Sequence, residues 1–292
     1  MKPAQFEYDD PRTEDEAIDL LARYGDECKV LAGGQSLVPL MNFRLARPAR
    51  LIDINNIESL SGIRREGGRL VIGAMTRHAQ VERSNAIAEG WPLLHDAVGW
   101  VGHAQIRNRG TVGGSVAHAD PAAELPAAFA ALEASFRVRS ARGARTLRWD
   151  ELFVSEFTTA LAADELLTAI EVPAPDPAAG SAFVEFARRH GDFALGGAAV
   201  TVRLGHGGTC AGATIALLSA GSTPIRARAA EQALQGVRLD DKAIEGAARA
   251  AVEGLHPTSD IHGSSDYRVR LLQTMTQRAL TRAVQRARRP AA

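Results

Sequence analysis

Two glycine-pair loops are the parts of the sequence best suited to chemistry. The first is AGGQS, residues 32–36, and the second is TVGGS, residues 111–115. Adjacent glycines lack Cβ atoms and accept positive φ angles, so a ligand can approach the main chain closely. Successive N–H groups in such turns bind anions, and a flanking Ser or Thr hydroxyl adds hydrogen-bonding capacity. Together, the two loops favour a ligand that carries a pyrophosphate group.

Neither loop is a complete phosphate-binding fingerprint by itself. Taken singly, a glycine pair is also explained by turn chemistry alone. The G-x-G-x-x-G spacing of dinucleotide-binding loops is missing, and a P-loop is excluded because Gly-Lys-Ser/Thr does not occur. The prediction of a ligand therefore depends on both loops acting together.

No catalytic residue and no metal site can be recognised in the sequence. The eight histidines are scattered and lack the spacing of zinc ligands on one helix. A nucleophile elbow of the form G-x-S-x-G is absent. His103 and His118 lie nearest to the second loop in sequence, so these two are the histidines placed to contact a ligand there.

Composition narrows the class of protein further. Lys plus Arg and Asp plus Glu both number 34, and this neutral balance argues against nucleic-acid binding. The two cysteines, Cys28 and Cys210, are too few for an iron–sulfur cluster, which takes about four thiolates. We expect both to be reduced thiols in a cytoplasmic protein. The sequence shows no signal peptide and no apolar run of about 18 residues, so no membrane span is predicted.

The elements around the loops indicate an α+β fold, because strands tend to follow strands along the chain and helices tend to follow helices. A capping box at Thr13 and Glu16 begins a helix that Gly25 ends. The remaining helices are predicted at 37–43 with a break near Pro39, from a Thr76 cap to Arg83, and at 92–98, 124–134, 226–235, 241–252 and 266–286. Strands are predicted at 29–31, 51–54, 70–73, 136–138, 166–172, 182–187, 197–204 and 213–218. The proline-rich stretch 173–180 is the best candidate for a linker.

The last predicted helix is rich in arginine. Two interpretations stay open: a solvated face that suits the helix C-terminus, or a docking surface for an acidic partner. The run comprises Arg268, Arg270, Arg278, Arg282, Arg286, Arg288 and Arg289.

Four strings, in order along the chain, resemble one family. LAGGQSLVPL (31–40) resembles the first FAD signature of the medium subunits of carbon monoxide dehydrogenase-type and xanthine dehydrogenase-type molybdenum hydroxylases. RNRGTVGGS (107–115), followed by DPAAELP (120–126), resembles the second signature. RRHGDFA (188–194) and the closing DYRVR (266–270) resemble later family motifs. The matches span almost the whole chain.

The resemblance implies an α+β fold of three parts. Two α/β subdomains, residues 1–56 and 57–174, would form the FAD-binding fold of the p-cresol methylhydroxylase type. Residues 175–292 would form a three-stranded antiparallel sheet with helices. Phe193 would lie beside the isoalloxazine, Glu124 near the ribityl chain and Leu167 near the flavin. The implied cofactor-binding residues are Leu31, Ala32, Gly33, Gly34, Gln35, Ser36, Leu37, Val101, Gly102, Thr111, Gly113, Gly114, Ser115, Ala117, His118, Glu124, Leu167, Arg189 and Phe193.

Three positions depart from the family pattern. Many relatives have Asn where Ser115 stands, and Tyr or Trp is common where Phe193 stands. Some relatives carry a Lys close to where Val184 or Glu185 stands. This chain has no Lys there, so it lacks the positive charge that the Lys would place near the flavin. Arg188 or Arg189 could supply that charge.

The resemblance also implies a divided reaction. This chain would bind FAD noncovalently, accept electrons from two [2Fe–2S] clusters on a small subunit and deliver them to an external acceptor. A large molybdopterin subunit would oxidise the substrate, in a dimer of heterotrimers, and the chain alone would be inactive on organic substrates. The opening MKPxxFxY and the string RHGDFA most resemble the sequences of enzymes that act on N-heteroaromatic or purine-like compounds. A carbon monoxide dehydrogenase medium subunit, a self-contained flavin reductase and a scaffold without cofactor are the alternatives.

Overall fold

A computed structural model describes residues 1–288, and the N-terminal part of it is a small parallel sheet with two helices. The capping box is present, since Thr13 Oγ1 accepts a hydrogen bond from the Glu16 amide at 3.2 Å. Strand β3 lies between β1 and β2, as parallel strands joined by helical crossovers allow. The elements are β1 (Glu7–Asp9), α1 (Glu14–Tyr24), β2 (Cys28–Leu31), α2 (Leu37–Asn42) and β3 (Arg50–Asp53).

Helix α2 continues through Pro39, so the predicted break there is wrong. Pro39 lies in the first turn, where a backbone N–H has no partner inside the helix and its loss costs little. The helix follows directly on the first glycine-pair loop.

A five-stranded antiparallel sheet forms the middle of the chain, in the order β4-β5-β10-β6-β7, with a two-stranded ribbon beside it. The strands are β4 (Ile63–Glu66), β5 (Arg69–Gly73), β6 (Ser135–Ser140), β7 (Gly143–Arg148), β8 (Phe153–Ser155), β9 (Thr158–Thr159) and β10 (Leu166–Val172). The helices are α3 (His78–Glu82), α4 (Asn85–Gly90), α5 (Pro92–Val98), α6 (Ala104–Arg109), α7 (Val112–His118), α8 (Glu124–Ala131) and α9 (Trp149–Leu152).

Two helix boundaries in this part differ from the prediction. Thr76 does not cap α3, because its hydroxyl is bonded to the backbone N–H and carbonyl of Gly62, both at 3.0 Å. Helix α3 begins later, at His78. Helix α8 ends at Ala131 rather than at residue 134, since Glu133 takes a positive φ of 54° that helical backbone does not allow.

The C-terminal sheet contains the three predicted antiparallel strands and a fourth strand of two residues. Its strands are β11 (Ala179–Phe186), β12 (Gly196–Leu204), β13 (Cys210–Leu218) and β14 (Ile225–Arg226), followed by α10 (Arg228–Leu234), α11 (Asp241–Ala250) and α12 (Ser265–Ala287). One face of the sheet packs against α12. The other contributes Phe183, Ala199 and Leu218 to the core of the middle part. The boundaries at residues 56 and 174 stay a prediction.

The arginines of the last helix divide into two sets. Arg268 is buried and donates to the Leu195 carbonyl at 3.0 Å and to Asp260 at 2.7 Å. Arg286 pairs with Asp96 and donates to the Ser181 carbonyl at 2.7 Å, and Arg288 donates to the Leu239 carbonyl at 2.8 Å. Arg270, Arg278 and Arg282 are exposed, while Arg289 lies outside the described residues. Within residues 1–288, the side chains of Arg270, Arg278 and Arg282 form no ion pair, so these three are the best candidates for a docking surface.

Across residues 1–288, none of the helices combines the length and the apolar character required to cross a bilayer.

Candidate functional site

A cleft of about 1390 Å³ is lined by residues from all three parts of the fold. This volume exceeds the roughly 300–1,000 Å³ of a pocket for a drug-sized molecule, so the cleft has room for a dinucleotide. Both glycine-pair loops line it, together with the turn before α8 and the segment between β11 and β12. The structure thus places the two loops at one site, as the sequence predicts.

The second loop is held rigidly at the start of α7. Thr111 is the N-cap residue, and its Oγ1 accepts a hydrogen bond from the Gly114 amide at 3.1 Å. The Gly113 amide donates to the Ala74 carbonyl at 2.8 Å. A Cβ on Gly113 would lie 2.5 Å from Ala74 Cβ, and one on Gly114 would lie 2.6 Å from Thr111 Oγ1. Both glycines are therefore required by the packing of the loop itself.

The first loop lies directly against the second. A Cβ on Gly33 would lie 2.5 Å from the Arg109 carbonyl oxygen, and Gly34 has a φ of +71°. The backbone N–H groups of Gly34, Gln35 and Ser36 have no acceptor within residues 1–288. The sequence argument that the glycines make space for a ligand is thus corrected at Gly33 and Gly113, where they make space for protein backbone. The free amides supply the anion-binding capacity.

A chain of polar contacts, here called the loop clamp, connects the two loops through Asn55 and Arg77. Asn55 Nδ2 donates to the Ala32 carbonyl at 2.8 Å, and Arg77 Nη2 donates to Asn55 Oδ1 at 2.6 Å. Arg77 Nη1 donates to the Arg109 carbonyl at the edge of the second loop. The loop clamp therefore sets the separation of the two loops.

Seventeen of the nineteen predicted cofactor-binding residues line the cleft, and Leu31 and Arg189 do not. Leu31 is the last residue of β2, one position before the lining begins. Arg189 is exposed, whereas its neighbour Arg188 lines the cleft and lies 3.1 Å from His262 Nδ1 through its Nη1 atom. Of the two arginines considered as replacements for a family Lys, Arg188 is the one at the cleft.

Two buried titratable groups line the cleft. Burial raises the pKa of Glu124 to about 7, and the charge of Asp120 adds to the effect. Burial lowers the pKa of His78 to about 4, with smaller contributions from Arg107 and Arg77, while the nearby Thr111 backbone opposes the shift. Neither ring nitrogen of His78 has a well-formed hydrogen bond among the described residues. At neutral pH His78 is thus an uncharged group with free hydrogen-bonding capacity.

Aromatic groups also line the cleft. The rings of His118 and Phe157 stand 5.1 Å apart, and both residues line the cleft, as does His103. Phe193 is 72% exposed, although it lines the cleft. A large apolar ring left in solvent at a cavity rim is available to stack on a flat ligand or a partner.

Several lining or supporting residues were missed by the sequence analysis. Asn55, Arg77 and His78 belong to no motif, and their roles arise from contacts between distant segments. Ser219 also lines the cleft, and its hydroxyl donates to the Ala194 carbonyl at 2.7 Å. The string DPAAELP did carry a signal for the turn before α8, which lines the cleft from Asp120 to Ala123.

Comparison with known proteins decides the family. A family model described as the FAD binding domain in molybdopterin dehydrogenase matches residues 4–175, and one described as the CO dehydrogenase flavoprotein C-terminal domain matches residues 181–283. The chain belongs to the flavoproteins of the molybdopterin dehydrogenases. The expected FAD-binding α+β fold, FAD as cofactor and the role of an oxidoreductase flavoprotein subunit are thereby confirmed.

Individual relatives of this flavoprotein match it over nearly full length. It is 46% identical to the 6-hydroxypseudooxynicotine dehydrogenase complex subunit alpha of Paenarthrobacter nicotinovorans, over 99% of this chain and 97% of that one. It is 42% identical to the caffeine dehydrogenase subunit beta of Pseudomonas sp. (strain CBB1), over 98% and 97%. A solved structure of carbon monoxide dehydrogenase from Hydrogenophaga pseudoflava superimposes with a TM-score of 0.95, 40% identity and coverage of 98% and 99%.

The cleft of the flavoprotein fits FAD on its own geometry. Free loop amides suit the pyrophosphate, and the volume suits a dinucleotide. When bound, FAD supplies the ability to take electrons singly and release them in pairs.

Proposed function

We propose that this chain binds FAD noncovalently in the cleft and relays electrons from [2Fe–2S] clusters on a partner subunit to an external acceptor. The observation that carries the proposal is the convergence of both glycine-pair loops on one large cleft in a chain of the flavoprotein family. The residues we propose for FAD contact are the seventeen predicted ones that line the cleft, with His78 added.

The loops give each section of FAD a proposed place. The free amides of Gly34, Gln35 and Ser36 hold the pyrophosphate, and Ser115 at the start of α7 adds a hydroxyl on the side of the second loop. Glu124 faces the ribityl chain, and Leu167 and Phe193 lie near the isoalloxazine. The exposure of Phe193 supports a position where the flavin edge is open to a partner or an acceptor.

The assembly we propose is a dimer of heterotrimers with a small iron–sulfur subunit and a large molybdopterin subunit. Relatives that carry the names of dehydrogenase complex subunits and medium chains support it. For the substrate of the complex we propose an N-heteroaromatic or purine-like compound. Relatives named for caffeine and for nicotine support that choice, while two named for carbon monoxide keep the alternative open.

The compartment we propose is the cytoplasm. Cys28 and Cys210 are both buried free thiols, as reducing conditions favour.

Reconstitution tests the function. The purified chain is loaded with FAD and offered purines, other N-heterocycles, aldehydes and carbon monoxide with a dye acceptor, before and after the two partner chains are added. We expect turnover of an N-heterocycle only when all three chains are present. Turnover by the chain alone would support a self-contained flavin enzyme, and turnover of carbon monoxide by the complex would support a carbon monoxide dehydrogenase. A purified chain that binds no FAD would indicate a scaffold.

A further inference from the structure

A carboxyl group lies buried without a hydrogen-bond partner on strand β11 of the C-terminal sheet. Glu185 is 5% exposed, and neither of its carboxyl oxygens has a hydrogen-bond partner in the described part of the chain. Buried polar groups are nearly always hydrogen-bonded, so an exception calls for a physical explanation. Glu185 is absent from the lining of the cleft and has no part in the FAD contacts proposed above.

Gly197, on the neighbouring strand, leaves room for the side chain of Glu185. Glu185 pairs with Gly197 on β12, and Gly197 pairs with Leu218 on β13. A Cβ on Gly197 would lie 2.8 Å from Glu185 Cβ and 2.5 Å from Leu218 Cδ2. The glycine therefore leaves the space that the Glu185 side chain requires on the sheet face that Phe183 shares, and this face packs against α8.

The helix that this face of the sheet packs against begins at Glu124, which is 7% exposed and lines the cleft. The turn before α8 is joined to the end of β13, since the Ser219 amide donates to the Pro121 carbonyl at 2.8 Å. Both carboxyl groups are therefore buried where the C-terminal sheet meets α8. Burial, with a smaller contribution from the charge of Glu124, raises the pKa of Glu185 to about 9.

The charged groups on the surrounding elements do not neutralise this pair. Asp120, in the turn before α8, raises the pKa of Glu124 further. On α5, Asp96 is paired with Arg286 and His95 is bonded to the Glu82 carbonyl. Arg188, beyond the end of β11, is bonded to His262, and Arg268 of α12 to Asp260. Within residues 1–288, neither Glu124 nor Glu185 forms an ion pair with a cation, so a proton is the charge compensation that remains.

We propose that Glu124 and Glu185 form a proton-holding pair that binds a proton from solvent when electrons reach the cleft. This inference rests on the proposed electron-relay function. When two electrons arrive from the partner's iron–sulfur clusters, the added negative charge in the cleft favours protonation of a carboxylate nearby. A new O–H bond then forms on the ionised member of the pair, with the proton taken from solvent. The pair limits the charge that accumulates next to the cofactor.

The pH dependence of the reduction potential tests the pair. The FAD-loaded chain is reduced at an electrode, which supplies the electrons, and the midpoint potential is followed from pH 5 to pH 10. Wild-type protein should show two inflections, a lower and an upper one. Glu185→Gln should remove the upper one. Glu124→Gln should remove the lower one and move the upper one to lower pH, because the charge of Glu124 no longer raises the pKa of Glu185. Glu89→Gln, at an exposed carboxyl of α4 outside the cleft, is the matched control and should retain both.

Infrared spectroscopy gives a readout independent of potential. The difference spectrum between reduced and oxidised protein should contain a carboxylic acid C=O band that shifts in D₂O and weakens in Glu185→Gln. Because Glu185 lies outside the cleft lining, this variant stays informative even if Glu124→Gln binds FAD poorly. Unchanged potentials and bands in FAD-loaded Glu185→Gln would overturn the proton-holding pair, whereas a wild-type chain without flavin absorbance would contradict the proposed function instead.

Discussion

Gly33 is the residue at which the two loops meet most closely. We predict that Gly33→Ala destabilises the protein by about 1–3 kcal/mol, because the new Cβ would press on the Arg109 carbonyl and Gly110 Cα, and backbone cannot yield as a side-chain tip does. The displaced loop should also lose FAD affinity. Urea unfolding and flavin fluorescence titration measure the two effects.

The matched control for Gly33→Ala is Gly246→Ala. Gly246 lies inside α11 with no atom within 4 Å of its would-be Cβ. Alanine there should stabilise the helix by up to about 1 kcal/mol and leave FAD affinity unchanged. Equal FAD affinity in the Gly33 and Gly246 variants would contradict the claim that close contact between the two loops is needed for FAD binding.

Phe193 offers a second test at the scale of a residue. We predict that Phe193→Ala alters the visible absorption of bound FAD or the rate of dye reduction, because the ring lies at the rim where the isoalloxazine is proposed. Stability should change by less than about 0.5 kcal/mol, since the ring is exposed. Substrate oxidation at the molybdenum subunit should be retained.

Phe43 provides the comparison for this change. It is also an exposed phenylalanine, but it does not line the cleft. Phe43→Ala should leave flavin spectrum and acceptor kinetics at wild-type values. Identical spectra and kinetics for Phe193→Ala and wild type would count against the placement of the ring.

The sequence predicted the loops of the site but could not predict their supports. Glycine pairs, the threonine that flanks the second pair and the DPAAELP string are local signals, and each was placed at the cleft. Asn55 and Arg77 are 22 residues apart, and no local pattern shows that one donates to the other. Glu185 stood in a predicted strand, yet its lack of an ion pair within residues 1–288 emerges only when the C-terminal sheet packs against α8.

At the scale of elements, the N-terminus of α7 supports the second loop. We predict that Thr111→Val destabilises the protein by about 1 kcal/mol, because Oγ1 no longer accepts the hydrogen bond of the Gly114 amide. FAD affinity should fall by about tenfold, which is about 1.4 kcal/mol. Calorimetric titration of the apoprotein with FAD measures the affinity.

Helix α1 supplies a like-for-like control, because Thr13 caps it with the same kind of bond to the Glu16 amide. Thr13→Val should cost a similar free energy of unfolding, yet FAD affinity should stay unchanged, since Thr13 does not line the cleft. A parallel loss of affinity in both variants would mean that stability alone explains the result.

Eight of the twelve helices in residues 1–288 and the longer strands followed from local patterns, whereas α4, α6, α7, α9 and several short or outer strands were not predicted. Strand β7 exposes five of its six residues, so it lacks the alternation of buried and exposed positions that identifies a strand. Strand β4 likewise has no fully buried residue. Both are outer strands of the five-stranded sheet, where pairing with a neighbour stabilises a sequence that carries little strand signal of its own. The strand order depends on long-range packing and was not predicted.

At the scale of the whole molecule, the cleft joins all three parts of the chain, so FAD should stabilise the fold globally. At a free concentration one hundred times the dissociation constant, a ligand that binds only the native state adds about 2.7 kcal/mol. We predict a rise in Tm of about 5–10 °C, given roughly 2–4 °C per kcal/mol for a chain of this size. Thermal scans at several FAD concentrations measure it.

FMN provides the comparison ligand for the thermal scans. It lacks the adenosine and the second phosphate, so it should bridge fewer of the parts and raise Tm less. An equal shift with FMN would contradict the idea that both loops hold the pyrophosphate.

The loop clamp has a consequence for the order in which the chain binds its cofactor and joins other subunits. Asn55 and Arg77 hold the two loops at a set distance through contacts within this chain alone, with no residue borrowed from elsewhere. A binding site that is already ordered loses little conformational entropy when its ligand arrives. We therefore expect the newly folded chain to acquire its flavin before it meets other subunits. The supply of FAD would then determine how many chains are ready to join a complex.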